Sequence, residues 1–171
     1  MHERHEHEQY FFTRDTVERL AGFLARFERP ACLCTPTVGA QLAARKVSVR
    51  TLEIDERFAQ TPGFLHFDMY RPRPLAESFD VILCDPPFEK VSLAQLFTAV
   101  RSLAHGDFGQ RLLLCYPVER AGAVLGTFAP FGLVPTGVHP QYVTVQAHGP
   151  RGIELFGNLG PELHALLAAA W

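Results

Sequence analysis

Four consecutive residues of this 171-residue chain, Asp85-Pro86-Pro87-Phe88, have the types and spacing to hold an amine. The Asp85 carboxylate and the Pro86 carbonyl can each accept a hydrogen bond from one NH2 group. An exocyclic amine of adenine or cytosine is a poor nucleophile because its lone pair is delocalised into the ring, and two acceptors draw that pair out of conjugation. The amine can then attack a methyl group held in line on a sulfonium, which is a matter of positioning and electrostatics. Phe88 offers a face to the base, and stacking of this kind contributes about 1–3 kcal/mol. A base inside a duplex cannot enter such a pocket, so the substrate would be single-stranded or flipped out. A plainer reading also stands: Asp-Pro-Pro as a rigid turn, with Phe88 in the core.

These residues need an element to carry them. Phe79 to Cys84 runs into the motif, and Val81, Ile82 and Leu83 have the continuous apolar pattern of a strand covered on both faces. Proline offers no ladder N–H and restricts the residue before it, so the strand must end at the motif. The carboxyl end of a strand is where open α/β sheets bind ligands. Other strands are expected over 31–34, 49–55, 64–68 and 112–116, with strand-like runs over 133–138, 142–145 and 152–156. Helices are expected from about 14 to 26, capped by Thr13, and over 38–46, 90–104, 121–128 and 161–170. Strands alternating with helices predict a doubly wound, mostly parallel α/β sheet, and the late strands on short turns predict an antiparallel edge.

Further candidates lie at other strand ends. Asp55, with Glu53 as the lesser choice, stands where dinucleotide and nucleoside folds place a carboxylate on ribose hydroxyls; an N-cap or surface charge is the equal alternative for Asp55. Asp68 follows the third strand, at a natural position for an adenine amino group. Arg71, Arg73 and Lys90 follow strand ends and suit either a modest phosphate patch or simply solvated charge. Gln9, Tyr10 and Phe12 precede the first helix and suit a ligand-facing rim or core equally.

Composition narrows the class. With 47% hydrophobic and 20% charged residues the chain is ordinary globular protein, and its net charge of −2 argues against a broad nucleic-acid-binding face. No apolar run approaches the roughly 20 residues of a membrane span, and the start has no signal-peptide core, so a cytoplasmic location is expected. Residues 1–8 alternate His with Glu and Arg and read as a solvated tail, followed by a single domain over 9–171. Cys32, Cys34, Cys84 and Cys115 sit in apolar runs without metal-ligand spacing, which points to buried free thiols and no metal.

Asp85-Pro86-Pro87-Phe88 is similar to the [D/N]PP[F/Y/W] motif of amino-group methyltransferases that depend on S-adenosylmethionine. More narrowly, the chain resembles the family of probable N6-adenine methyltransferases. Its branches include a lysine methyltransferase of translation elongation factor 1A and a CCHC-zinc-finger methyltransferase of ribosomal RNA adenine. The resemblance runs through Gln9-Tyr10-Phe11-Phe12, Cys32 to Pro36, Leu52 to Phe58, Phe67-Asp68-Met69-Tyr70, the motif itself, and Gly149-Pro150-Arg151 to Asn158. Phe88, where the lysine branch usually has Tyr, and the last segment look more like the RNA branch. The resemblance implies a Rossmann-like, seven-stranded class I methyltransferase fold. It implies that Gln9, Tyr10, Phe12, Cys34, Thr35, Pro36, Asp55, Asp68 and Met69 hold S-adenosylmethionine, with Asp55 on the ribose and Asp68 on the adenine amine. Asp85, Pro86, Pro87 and Phe88 would hold the target nitrogen. The loop after the first strand lacks the glycine-rich pattern, as this family generally does, and the zinc modules of the RNA branch are absent.

Three readings follow. The first is an adenine N6-methyltransferase of structured RNA, ribosomal above all, with RNA recognised by this small domain or by an accessory partner. The second is a protein lysine methyltransferase, with Phe88 meeting the amine by cation–π attraction. The third is an inactive fold serving as a binding module, against which the intact Asp85 and Asp55 both speak.

Overall fold

A computed structural model describes residues 10–144 and 152–171; the 1–8 tail, Gln9 and residues 145–151 lie outside them. The first helix, α1 (Arg14–Leu24), starts where Thr13 accepts a hydrogen bond from the Thr16 amide. It buries Leu20, Phe23 and Leu24, the face its spacing defines. Strand β1 (Pro30–Leu33) leads into α2 (Pro36–Ala44). Pro36 opens this helix instead of preceding it as a break, because its fixed φ and missing N–H suit a first helical position. There follow β2 (Arg50–Glu53), β3 (Phe64–His66) and β4 (Val81–Cys84). Helix α3 (Leu93–Leu103) begins later than the periodicity predicted, because Ser92 and Gln95 form a capping box and 88–90 turn ahead of it.

The chain continues through β5 (Leu112–Pro117), α4 (Ala121–Thr127), β6 (Val134–Pro135), β7 (Ile153–Gly157) and α5 (Pro161–Ala169). The strands form one sheet in the order β3-β2-β1-β4-β5-β7-β6. The first five are parallel to one another, and β7 runs antiparallel to both β5 and β6. This is the α/β sheet with an antiparallel edge that the alternation predicted. Two late runs are shorter than expected. The 133–138 run contracts to Val134–Pro135, both exposed at the sheet edge, and Gly137 turns the chain at φ 75°. In place of a strand from residue 142, the described residues show an isolated antiparallel bridge between Tyr142 and Phe12.

Helices cover both faces, so alternate residues of the central strands enter different cores. On β4, Ile82 and Cys84 join Leu96, Val100 and Phe128 on one side, while Val81 and Leu83 join Leu20, Leu42 and Leu167 on the other. Helix α2 lies close on β2: a Cβ at Gly39 would stand 2.1 Å from the Thr51 hydroxyl oxygen. The tight contact holds the first turns of α2 against β2. From β1 the chain adds β2 and β3 on one side and β4 and β5 on the other, all parallel, and this reversal of strand order beside β1 opens the crevice in which parallel sheets of this kind hold ligands.

Candidate active site

A cavity of about 320 Å³ opens at the carboxyl ends of β1, β2, β3 and β4. Cys34 and Pro36 form its floor at the turn after β1. Cys34 adopts a left-handed conformation, φ 56°, while its amide donates to the Leu52 carbonyl at 3.0 Å. A non-glycine residue in that region costs about 1–2 kcal/mol, so the turn holds a strained geometry between two parallel strands.

Three carboxylates enter from the β2 and β3 side. Glu53 ends β2 and is buried, its Oε1 accepting the amides of Ile54 at 2.9 Å and Asp55 at 3.0 Å. Burial raises its pKa, and the two amides oppose the rise. Asp55 is spent otherwise. Its Oδ1 accepts the Arg57 amide at 3.0 Å and caps the short 3-10 turn Glu56–Phe58, and the Arg57 guanidinium grips Oδ2 through Nε at 2.8 Å and Nη2 at 2.6 Å. Both acids line the cavity, but the capping alternative describes what the Asp55 carboxylate does, which brings Glu53 forward. Asp68 lines the cavity, with Oδ1 accepting the Tyr70 amide at 2.9 Å.

The opposite side is the end of β4. The Asp85 amide donates to the Leu33 carbonyl at 3.2 Å, and the Pro87 carbonyl accepts the amides of Lys90 and Val91, closing the turn that the prolines stiffen. Asp85, Pro86, Pro87 and Phe88 all line the cavity. Phe88 meets Tyr116 edge-on, centroids 5.3 Å apart, so one side of its ring is braced. Arg120 lies over the Tyr116 ring and donates to the Phe88 carbonyl at 3.2 Å. Burial pushes the Asp85 carboxyl up to about 8, and a hydrogen bond from the Tyr142 hydroxyl to Oδ1, at 2.8 Å, works against that rise.

Tyr142 is the residue that the sequence did not single out. It stood in a run expected to be a strand, and nothing within that run links it to a carboxylate 57 positions earlier. The backbone pins it: Val143 N donates to Phe11 O at 2.9 Å, Thr13 N donates to Gln141 O at 2.8 Å, and its ring lies 4.9 Å from that of Phe12. The N-terminal approach therefore divides differently from expectation. Tyr10 and Phe11 line the cavity, whereas Phe12, for which rim and core stood equal and which the resemblance set beside the cofactor, is 4% exposed and packs into the core, paired with Tyr142 in the bridge. Thr35, between the two cavity-lining residues Cys34 and Pro36, is buried and lies outside the lining. Met69 lines the cavity. Arg71, Arg73 and Lys90 are exposed, and the Tyr70 hydroxyl bonds the Lys90 carbonyl at 2.7 Å, joining the loops that carry them. The four cysteines are free. Among the described residues no group of three metal-ligating side chains converges, and no helix is long and apolar enough to cross a membrane.

The donor set suits a nucleoside carrying a positive charge. Glu53 and Asp68 offer acceptors for hydroxyls and an amine, Ile54 and Met69 offer apolar surface, and Asp85 closes the far end.

A model of the family described as "Probable N6-adenine methyltransferase" matches residues 3–147. The chain is 30% identical over 135 residues to EEF1A lysine methyltransferase 1 of Mus musculus, a match covering 69% of this chain and 61% of that protein. It thus spans less than two thirds of that relative. In structure it is similar to magnesium protoporphyrin IX methyltransferase from Synechocystis PCC 6803, solved with bound SAM, at a TM-score of 0.56 and 14% identity. That superposition covers 83% of this chain and 76% of the other.

Proposed function

The chain belongs to the probable N6-adenine methyltransferase family, and from that premise we propose that it methylates the N6 amine of adenine in RNA, ribosomal RNA above all, using S-adenosylmethionine. The observation that carries the reading is the end of β4, where Asp85 and Pro86 stand beside the braced ring of Phe88 and share one cavity with Glu53 and Asp68. When bound, the cofactor supplies an electrophilic methyl group on a sulfonium. The residues that would hold it are Tyr10, Cys34, Pro36, Glu53, Asp68 and Met69, with Glu53 taking the ribose role first assigned to Asp55.

What this chain contributes to the transfer is arrangement. Asp85 and the Pro86 carbonyl accept the two N–H bonds of the amine and turn its lone pair out of the ring. Phe88 fixes the plane of the base, and exposed Arg71, Arg73 and Lys90 contact phosphate beside the pocket. A net charge of −2 argues against a broad cationic surface, and part of the RNA recognition falls to an accessory partner.

The mouse relative favours a second reading, a lysine amine of a translation factor in the same acceptors. Incubating the protein with labelled S-adenosylmethionine and either total RNA or ribosome-free cell protein separates the two. Label in RNA, recovered as N6-methyladenosine after digestion, is the expected result. Label confined to protein would transfer the proposal to lysine, and cofactor binding without label in either pool would leave a binding module.

A further inference from the structure

The Asp85 carboxylate has two oxygens, and the protein itself already uses one. Tyr142 donates its hydroxyl hydrogen to Oδ1 at 2.8 Å. Among the described residues no hydrogen bond falls on Oδ2 or on the Pro86 carbonyl, whereas the Pro87 carbonyl is taken by Lys90 and Val91. An NH2 group has two N–H bonds, and two acceptors remain for them. The tyrosine is not free to wander. Backbone bonds on either side of it and the ring of Phe12 hold it, and Gln141 N donates to the Thr16 hydroxyl at 3.0 Å, tying the same segment to α1.

We propose that Tyr142 is the positioning residue of the acceptor end: its hydroxyl occupies Oδ1 of Asp85, fixes the plane of the carboxylate, and leaves Oδ2 with the Pro86 carbonyl for the two N–H bonds of the incoming amine. The proposal rests on the amine-methyltransferase reading above. A carboxylate held at one oxygen cannot rotate to give both oxygens to one N–H, so the amine is held by two separate groups, as the loss of ring conjugation requires. The same hydrogen bond favours the ionised carboxylate, the form that accepts from an amine. The other titratable groups facing Asp85 are thiols: Cys34 at the end of β1, Cys84 on β4 and Cys115 on β5. Burial and the Asp85 charge push all three well above their ordinary range, so they stay neutral while Asp85 titrates. Glu53 shares the cavity from the end of β2.

The test uses Tyr142→Phe, which keeps the ring against Phe12 and removes only the hydroxyl. Infrared or carbon-13 detection of the Asp85 carboxyl, with Asp85→Asn as the blank, reads the coupling directly. The carboxyl should titrate at a higher pH in Tyr142→Phe than in the parent. The acid limb of kcat against pH should move the same way, with kcat at pH 7 down by about tenfold per unit moved and the cofactor dissociation constant unchanged. Should Tyr142→Phe fail to fold, 3-fluorotyrosine at 142, a stronger donor, must shift the carboxyl and the acid limb in the opposite direction. An unmoved carboxyl overturns the proposal, as does a moved carboxyl with an unmoved acid limb. A parent enzyme that binds cofactor but methylates neither RNA nor protein overturns the functional reading instead, and the carboxyl titration then shows that failure to be distinct.

Discussion

On the side of the cavity built from β2 and β3, every carboxylate is tied by groups within two residues of itself. Glu53 takes the amides of Ile54 and Asp55, Asp55 takes Arg57, and Asp68 takes the Tyr70 amide. At the end of β4 the Asp85 carboxylate is tied by a hydroxyl 57 residues away. Local ties make rigid loops that hold a ligand in a fixed pose. The distant tie places a buried, high-pKa carboxyl under the control of another segment. Rigid presentation suits a cofactor, and a tunable acceptor suits the reacting amine.

The sharpest way to break this contrast is to remove Asp85. Asp85→Ala should lower methyl transfer by about 1,000-fold, about 4 kcal/mol in the barrier, while calorimetry finds cofactor affinity within about twofold of the parent. Loss of cofactor binding instead would move Asp85 to the other side of the comparison. The same residue makes a stability prediction. Its folded pKa is raised from 3.8 to about 8, so the folded state keeps a proton that the unfolded state has lost, and stability falls as pH rises through that window. Asp85→Asn removes the linkage. Denaturant unfolding should find it about as stable as the parent at pH 4 and more stable by about 2 kcal/mol or more at pH 8.

Smaller effects test the cofactor side. Glu53→Gln should weaken cofactor binding about 10- to 100-fold and leave transfer at saturating cofactor close to normal, as read by calorimetry and single-turnover rates. Phe88→Ala should raise KM for the acceptor in line with the loss of about 1–3 kcal/mol of stacking, and Phe88→Tyr should recover most of it. Asp55→Ala should be the mildest, under about threefold in cofactor affinity, because its carboxylate serves Arg57 and the turn. A larger loss for Asp55 than for Glu53 would restore the ribose role to Asp55.

The same contrast governs what could be read from the sequence. The motif at 85–88 is contiguous, its strand is a plain apolar run, and proline acts on its neighbours, so the strand end and the stiff turn after it were legible from local rules alone. The sheet was legible for the same reason, since alternation of strands and helices is a local pattern repeated along the chain. The pairing of Asp55 had a local sign too, the arginine at 57, which takes the carboxylate two residues before it. Tyr142 was out of reach, and so was the choice between rim and core for Phe12. Each is placed by a two-stranded bridge between segments 130 residues apart, and neither segment alone carries a trace of its partner.

The turn after β1 bears on how sites of this kind are searched for. Glycine-rich fingerprints record, in letters, a backbone that must swing through the left-handed region as it passes from strand to helix. Here Cys34 makes that swing at φ 56°, and the tight helix–sheet approach falls to the lone Gly39. The requirement is met by a dihedral angle and a missing side chain at two separate places, so a search phrased in conformations would recover this loop where one phrased in residue names passes over it.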